Sequence, residues 1–298
     1  STLDRSSAAS DVYKRQVQII TMMENQNNRF SSRFTFLLSA LGIAVGTGNI
    51  WRFPRIVASN AGDDGAGAFL VAWITFLFLW SIPLIIVEYI MGRQSRMGTV
   101  GAFSNFMGKP FAFLGGFVGV VSTAIAFFYS VIVGWNIYYF GAIIFTDLPQ
   151  NNDASWALWS SFQNSSFPII FHAIAMTVGG LAIYKGVSSI EKVNRILIPT
   201  LLLIVLICVL RAISLPGAFN GIIYLFTPQW SQLTSPKLWL EALTQNAWDT
   251  GAGWGLFLTY AVYIKKRYGI VKNAFTTAVG NNIVSLLSAI MIFSTVFS

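Results

Sequence analysis

Charged residues are scarce in this sequence. Asp, Glu, Lys and Arg make up 10% of its 298 residues, whereas soluble domains carry about 25%. Histidine and cysteine occur once each, at His172 and Cys208, which excludes an intramolecular disulfide and argues against a His/Cys metal site. The sequence offers no paired acids and no nucleophile beside a histidine, so we expect no enzyme. Hydrophobic residues make up 55% and the mean hydropathy is +0.63, which indicates an all-α integral membrane protein.

The positive charge does not indicate a nucleic-acid partner. Nineteen Lys and Arg against eleven Asp and Glu give a net charge of +8. These cations form short clusters between apolar runs, as the positive-inside rule predicts for a protein embedded in a lipid bilayer. We therefore expect the bilayer and a small molecule, but no nucleic acid, as partners, and the sequence leaves the oligomeric state open.

The first residues differ from the rest of the chain. STLDRSSAASDVYKRQ is polar, lacks apolar periodicity and resembles a translated cloning adapter. No apolar segment follows a basic start, so it is not a signal peptide. We expect residues 1–21 to be a non-native or disordered extension, and 22–298 to form the transmembrane domain.

Seven segments are long and apolar enough to span a bilayer, for which about 20 residues are needed. They are 34–57, 69–91, 112–145, 167–184, 194–213, 237–264 and 271–297. The loop 146–166 has no Lys or Arg, whereas the basic clusters fall in the alternate loops. This asymmetry predicts a multi-pass protein of the inner (plasma) membrane with a cytoplasmic N-terminus.

The first and sixth segments are interrupted. They contain LGIAVGTGNIWRFP (41–54) and LTQNAWDTGAGWGLFLTY (243–260), where glycines and the polar Asn49 and Asp249 break an apolar run. Close packing of helices through small residues is one explanation. The spacing of five segments favours another, an inverted repeat in which each half begins with a discontinuous helix. Such helices open a site at mid-membrane for a cation and a small anionic solute.

A family resemblance supports the second explanation. AVGTGNIWRFP, GAGAFL and EYIMGR resemble motifs of the neurotransmitter:sodium symporters, and AWDTGAGWG is most similar to bacterial transporters of tyrosine and other hydrophobic amino acids. The resemblance covers 29–298. It implies the LeuT fold, an inverted-repeat helix bundle, with this chain corresponding to the first seven of eleven or twelve helices and with helices 1 and 6 discontinuous.

The resemblance implies two sodium sites. Hard cations take oxygen ligands. The first site would use Ala44, Asn49, Asp249 and Asn281, with Asn282 as the less favoured register. The second would use the carbonyls of Gly42 and Val45, and its other ligands belong to helix eight, outside these 298 residues. We therefore expect the second site to be incomplete and the fragment alone not to transport.

The resemblance also implies a substrate site and a gate. The substrate positions are Ala44, Thr47, Gly48, Ile125, Tyr129, Trp248, Asp249, Gly251 and Trp254. Gating and supporting positions are Arg52, Glu88 and Gln245, with Glu88 expected to hydrogen-bond the unwound part of helix six.

Two positions depart from the family pattern. Many relatives carry a hydroxyl residue where this chain has Asp249, and chloride-independent relatives carry an acid in helix seven, where this chain has Ser285. We hypothesise that Asp249 replaces chloride and ligates sodium, and that it carries a proton on the return step. Relatives often have Gly where this chain has Ser189, with nine residues between that position and Pro199. We therefore do not expect the helix to unwind at Ser189 as it does in the family.

The sequence therefore predicts a sodium-coupled symporter that takes up amino acids by alternating access. Hydrophobic or aromatic amino acids are favoured as substrates. The alternative is a non-transporting membrane binding protein, or an inactive fragment, on the same scaffold.

Overall fold

A computed structural model describes residues 29–298 of the chain, and every regular element in that part is a helix. The expected extension 1–21 lies outside the described residues. The helices are α1 (Arg33–Ala44), α2 (Gly48–Ser59), α3 (Gly67–Ser95), α4 (Thr99–Met107), α5 (Ala112–Phe145), α6 (Asn152–Gln163), α7 (Phe167–Ile183), α8 (Val187–Ile213), α9 (Ala218–Phe226), α10 (Pro236–Thr250), α11 (Leu256–Ala261) and α12 (Ile270–Val296).

Membrane-spanning length is reached by only some of these helices. Within the described residues, α3, α5, α8 and α12 are each long and apolar enough to cross a bilayer, and the bent pairs α1–α2 (53°) and α6–α7 (71°) raise that number to six. The predicted segment 237–264 is not among them, because it divides into 15-residue α10, which carries Gln245, Asn246 and Asp249, and six-residue α11.

The long helix α12 is the centre of the bundle. It packs against α8 and α9 and against both halves of the first broken span, α1 and α2. Helix α3 packs against α10 and α11, the two halves of the second broken span. Helix α12 therefore contacts the helices on both sides of the first interruption, and α3 contacts those on both sides of the second.

Small side chains set the closest approaches. A Cβ on Gly92 of α3 would lie 2.0 Å from the Leu258 carbonyl oxygen of α11, and one on Gly221 of α9 would lie 2.2 Å from the Phe293 carbonyl oxygen of α12. Any side chain there would force the helices apart.

Three short helices lie in stretches that the sequence indicated only as connections. Helix α4 packs on α5, α6 on α7, and α9 on α12 and α3. Helix α8 begins at Val187, seven residues before the predicted span start at 194. It continues as one helix past Ser189 and Pro199. Pro199 lies on the membrane-facing surface, where its ring removes one backbone hydrogen bond without ending the helix.

Candidate functional site

The first break follows Ala44. Val45 adopts extended dihedrals (φ −83°, ψ 115°) and donates its amide to the Leu41 carbonyl (2.7 Å), which closes α1. The chain resumes as α2, whose first turn, Gly48–Arg52, is π-helical. The Gly46 amide donates to Asn49 Oδ1 (2.8 Å), so a side chain replaces a missing backbone partner. Wide π-helical turns often mark functional sites.

The second break is made of glycines. Gly251, Gly253 and Gly255 all have positive φ (64°, 91° and 73°), a region that costs other residues about 1–2 kcal/mol. Glu88 of α3 supports this segment, since its two carboxylate oxygens accept from the amides of Gly253 (2.6 Å) and Leu258 (3.0 Å). An acid buried to 6% exposure requires such donors.

Ser122 of α5 holds the same segment from the other side, because its hydroxyl donates to the Trp254 carbonyl. The unwound stretch therefore lies between an acceptor on α3 and a donor on α5. Both the freed amides and one freed carbonyl find a partner inside the protein.

A buried polar cluster joins the two breaks. Asn49 Nδ2 donates to Asn281 Oδ1 and to Ser285 Oγ (both 2.8 Å), and Ser285 donates to Asp249 Oδ2 (3.2 Å). Gln245 Nε2 donates to Asp249 Oδ1 (2.5 Å). Asp249 is 2% exposed and the other four are fully buried. The cluster connects α2, α10 and α12 through neutral donors around one carboxylate.

Main-chain oxygens face the same cluster. The amide end of Asn281 lies 3.2 Å from the Ala44 carbonyl oxygen and 3.3 Å from the Asp249 carbonyl oxygen. With its nitrogen turned toward them, Asn281 donates to both; with its oxygen turned toward them, three oxygens converge at one point. Both orientations leave the predicted first-site residues Ala44, Asn49, Asp249 and Asn281 in one group. Asn282 turns away and accepts from Asn281 Nδ2 (3.2 Å).

A cavity of about 370 Å³ opens beside this cluster. All nine residues predicted for the substrate line it, and so do Gly42 and Val45 from the predicted second sodium site. The volume lies within the range of small-molecule sites. Sequence reasoning missed other lining residues, namely Ile43, Gly46, Ser122, Ala126, Val133 and Leu256. Ser122, Ala126 and Val133 share a helical face with Ile125 and Tyr129, so the helical repeat would have identified them.

Aromatic rings and one arginine form the roof of the cavity. Trp248 stacks on Tyr129 (centroids 6.2 Å apart, 25° between planes) and meets Trp254 edge to face at 5.4 Å. The Arg52 guanidinium lies 5.4 Å from the centre of the Trp248 ring and donates to Gln245 Oε1. A second cavity of about 580 Å³ shares Tyr129, Trp248 and Gly48 with the first. The Tyr129 and Trp248 rings of the roof therefore border both the inner cavity and this vestibule.

Comparisons with known proteins agree with this geometry. The sequence matches the sodium:neurotransmitter symporter family over residues 27–167 and 164–297. It is 32% identical over 93% of its length to YhdH of Bacillus subtilis, described as an uncharacterised sodium-dependent transporter, and 28% identical over 92% to a sodium- and chloride-dependent GABA transporter of Drosophila melanogaster. These alignments cover 61% and 33% of the relatives.

A solved structure shares the fold. The crystal structure of MhsT in complex with L-phenylalanine superposes with a TM-score of 0.81 at 31% identity, over 91% of this chain and 61% of that one. The chain thus spans about three fifths of YhdH and of MhsT. The predicted LeuT-type helical fold is confirmed, and so is the predicted family resemblance. This family consists of transporters rather than enzymes. The chain belongs to the sodium:neurotransmitter symporter family.

Proposed function

We propose that this protein is part of a sodium-coupled symporter that takes up hydrophobic or aromatic amino acids by alternating access. One observation carries the proposal: two interrupted helices present their loose ends and Asp249 to the same cavity, and three buried amide side chains join Asp249 in the polar cluster beside it. Irregular backbone at membrane depth is tolerated where it lines such a cavity, and this arrangement is the one that transporters with inverted repeats use.

The substrate's charged groups would bind the two breaks. The first amides of a helix have no intrahelical partner and lie at the positive end of its dipole, so Thr47 and Gly48 suit a carboxylate. The carbonyls of Ala44 and Gly251 suit an ammonium group. Ile125, Trp248 and Trp254 would surround an apolar side chain, consistent with the L-phenylalanine named for MhsT.

Sodium would bind where the amide end of Asn281 meets the carbonyl oxygens of Ala44 and Asp249. Three oxygens brought this close repel one another unless a cation lies between them, and hard cations prefer carbonyl, amide and carboxylate oxygens. Asn49 meets Asn281 through its Nδ2, while its Oδ1 accepts from the Gly46 amide, so its amide would have to turn to supply a fourth oxygen. The carbonyls of Gly42 and Val45 would contribute to a second sodium site on the same cavity.

Asp249 would make the transport independent of chloride. Its carboxylate accepts from Gln245 and Ser285, which are neutral donors of the kind that would hold an anion. A fixed carboxylate in this position removes the need for a bound halide. When sodium leaves, a proton would neutralise the same carboxylate in its buried site, giving proton movement opposite to sodium.

The test is binding of a labelled amino-acid panel to the purified protein in sodium, with potassium as the matched salt, and with chloride replaced by gluconate. We expect binding of aromatic and large aliphatic amino acids in sodium only, unchanged in gluconate. Binding in potassium would contradict sodium coupling, and a chloride requirement would contradict the role of Asp249.

Uptake distinguishes transport from simple binding. In proteoliposomes carrying the protein extended by the remaining helices of a full-length relative, we expect sodium-driven accumulation that changes with internal pH. Sodium-dependent binding without uptake would favour the non-transporting alternative, and uptake without any response to internal pH would contradict the proton step.

A further inference from the structure

Positive charge is concentrated at the end of the bundle where α3 ends and α1 begins. Arg93 and Arg96 close α3, Arg29 precedes α1, and Lys265–Arg267 follow α11. These six residues are here called the basic end. The predicted orientation puts it at the cytoplasmic side. The positive-inside rule accounts for an excess of Lys and Arg on this side, but it does not account for the way in which the side chains are arranged.

Two arginines of the basic end bind the backbone of the 262–269 loop. Arg93 Nη1 donates to the carbonyls of Lys266 (3.3 Å) and Tyr268 (3.0 Å), and Arg96 Nη1 donates to the carbonyl of Val262. Arg96 adopts a left-handed conformation (φ 55°), the sole positive φ among non-glycine residues of the described chain. The backbone therefore turns at Arg96 so that its side chain reaches the loop.

Arg96 keeps one donor unused. Its Nη2 is buried and, within residues 29–298, has no hydrogen-bond partner. Burial, followed by the positive charges of Arg29 and Arg93, lowers the pKa of the Arg96 guanidinium from its usual value. A buried guanidinium nitrogen without an acceptor is unfavourable, and more so beside two like charges.

A cavity lies at the same end of the bundle, although Arg96 itself does not line it. It has a volume of about 440 Å³ and is lined by Arg29, Lys265, Lys266 and Arg267, all of them cationic. Arg29 links the two features, because it lines the cavity and its charge acts on Arg96. Lys265 is partly engaged, since its Nζ donates to the Ser31 carbonyl (2.8 Å).

A carboxylate on this side of the bundle, that of Glu191, is already occupied. Glu191 of α8 accepts from the Ser31 amide (2.7 Å), the Ser31 hydroxyl (3.1 Å) and the Thr35 hydroxyl (2.5 Å) with a single oxygen. It is 7% exposed and fixes the start of α1. It therefore does not neutralise the four cations of the cavity, which suit an anion from outside the described chain.

We propose that the basic end is an anion site for a phosphate group, with Arg29 and Lys266 of the cavity as its principal donors and the unused Nη2 of Arg96 as a further donor. Guanidinium groups pair with phosphate oxygens through charge-assisted hydrogen bonds, and a lysine adds a point charge. The group belongs either to an anionic phospholipid at the membrane surface or to a free cytoplasmic phosphate. Bound there, it would tie the start of α1 to the inner end of α3 and to the loop after α11.

The experiment measures short-chain phosphatidylglycerol and phosphatidylcholine binding to the detergent-purified protein by native mass spectrometry, with inorganic phosphate as a competitor. We expect the wild type to prefer phosphatidylglycerol. The double variant Arg29→Gln/Lys266→Gln should lose this preference by about tenfold or more, as the loss of one or two charge-assisted contacts implies. Neither side chain makes a hydrogen bond within the described residues, so the variant should fold. Arg96→Asn, which tolerates the left-handed backbone, should act similarly.

The matched control is Lys185→Gln/Arg195→Gln, which removes two charges from the same side of the bundle away from the cavity. If inorganic phosphate competes, a free phosphate is sufficient for binding. If excess phosphate does not abolish the preference for phosphatidylglycerol, the ligand is the lipid. Either result supports the site. The proposal is overturned if Arg29→Gln/Lys266→Gln binds both phosphatidylglycerol and phosphate as well as the wild type does. It is also overturned if the control pair weakens binding equally.

Discussion

The two interruptions of the bundle are kept open by different means. Between α1 and α2, all backbone φ angles are negative and one amide is satisfied by the Asn49 side chain. Between α10 and α11, three glycines adopt positive φ, and Glu88 of α3 accepts two of the freed amides. The first break therefore depends on a local polar side chain, whereas the second depends on glycine and on a partner from another helix.

This difference indicates which glycines matter for conformation and which for space. Gly48 of the first break is needed because a Cβ there would lie 3.1 Å from Asp249 Oδ1 and 3.2 Å from the Trp248 ring. Gly255 of the second break is needed for both reasons, since its φ is positive and a Cβ would lie 2.6 Å from Thr99 Cγ2. The same residue type thus serves close contact in one break and backbone freedom in the other.

Removing the support of the second break should have the largest effect. Glu88→Ala leaves the buried Leu258 amide without an acceptor, at about 1–3 kcal/mol, and also removes the partner of the more exposed Gly253 amide. We expect a marked fall in the melting temperature and loss of sodium-dependent amino-acid binding. Glu88→Gln, which keeps one acceptor oxygen, should fall between this variant and the wild type. Equal stability of all three would show that the break does not need α3.

Neutralising the shared carboxylate should come next. Asp249→Asn keeps the shape but removes the only charge in the polar cluster. We expect sodium affinity to fall about tenfold to a hundredfold, as the loss of one direct ionic contact implies, with added chloride restoring part of it. The measurement is sodium titration of labelled amino-acid binding with chloride or gluconate. Unchanged sodium affinity would remove Asp249 from the sodium site.

Restricting the second break should have a smaller effect. Gly253→Ala places a Cβ at φ 91°, where its nearest neighbour is 3.5 Å away, so the cost is conformational alone. We expect a loss of about 1–2 kcal/mol in the free energy of unfolding, read from thermal denaturation. A neutral result would show that the break can readjust without glycine.

The matching change in the first break should have the smallest effect. Gly46 has negative φ, and no atom of the described residues lies within 4 Å of the position of a Cβ. Gly46→Ala should therefore change the melting temperature little, as expected for an unstrained substitution. A loss as large as that of Gly253→Ala would mean that both breaks require glycine, and the distinction between them would fail.

Apolar length and composition made much of the bundle predictable, and the unusual pairing of glycines with Asn49 and Asp249 indicated where it is interrupted. Helices α4, α6 and α9 were not predicted, because short helices of this kind depend on the surfaces they pack against. The early start of α8 was missed for a related reason: its first residues are polar, and Glu191 turns inward to bind the start of α1.

At the site, individual residues came from the family resemblance and their contacts from the structure. The motif identified Glu88, but the sequence could not tell that this one acid accepts both from the amide of the middle glycine, Gly253, and from that of Leu258. The helical repeat from Ile125 and Tyr129 places Ser122 on the cavity face, but its bond to the Trp254 carbonyl, 132 positions away, is visible only in the structure.

The contact of Gly48 with Trp248 and Asp249 has a mechanical consequence. Because Gly48 has no side chain, the Trp248 ring and the Asp249 carboxylate of α10 lie close to the backbone of α2, and Gln245 binds both Arg52 and the Gly48 carbonyl (3.4 Å). These contacts couple the two outer half-helices, α2 and α10, to each other. Rotation of one half-helix alone would break these contacts, so we expect the two to move together, with the change in backbone conformation taken up at the two breaks.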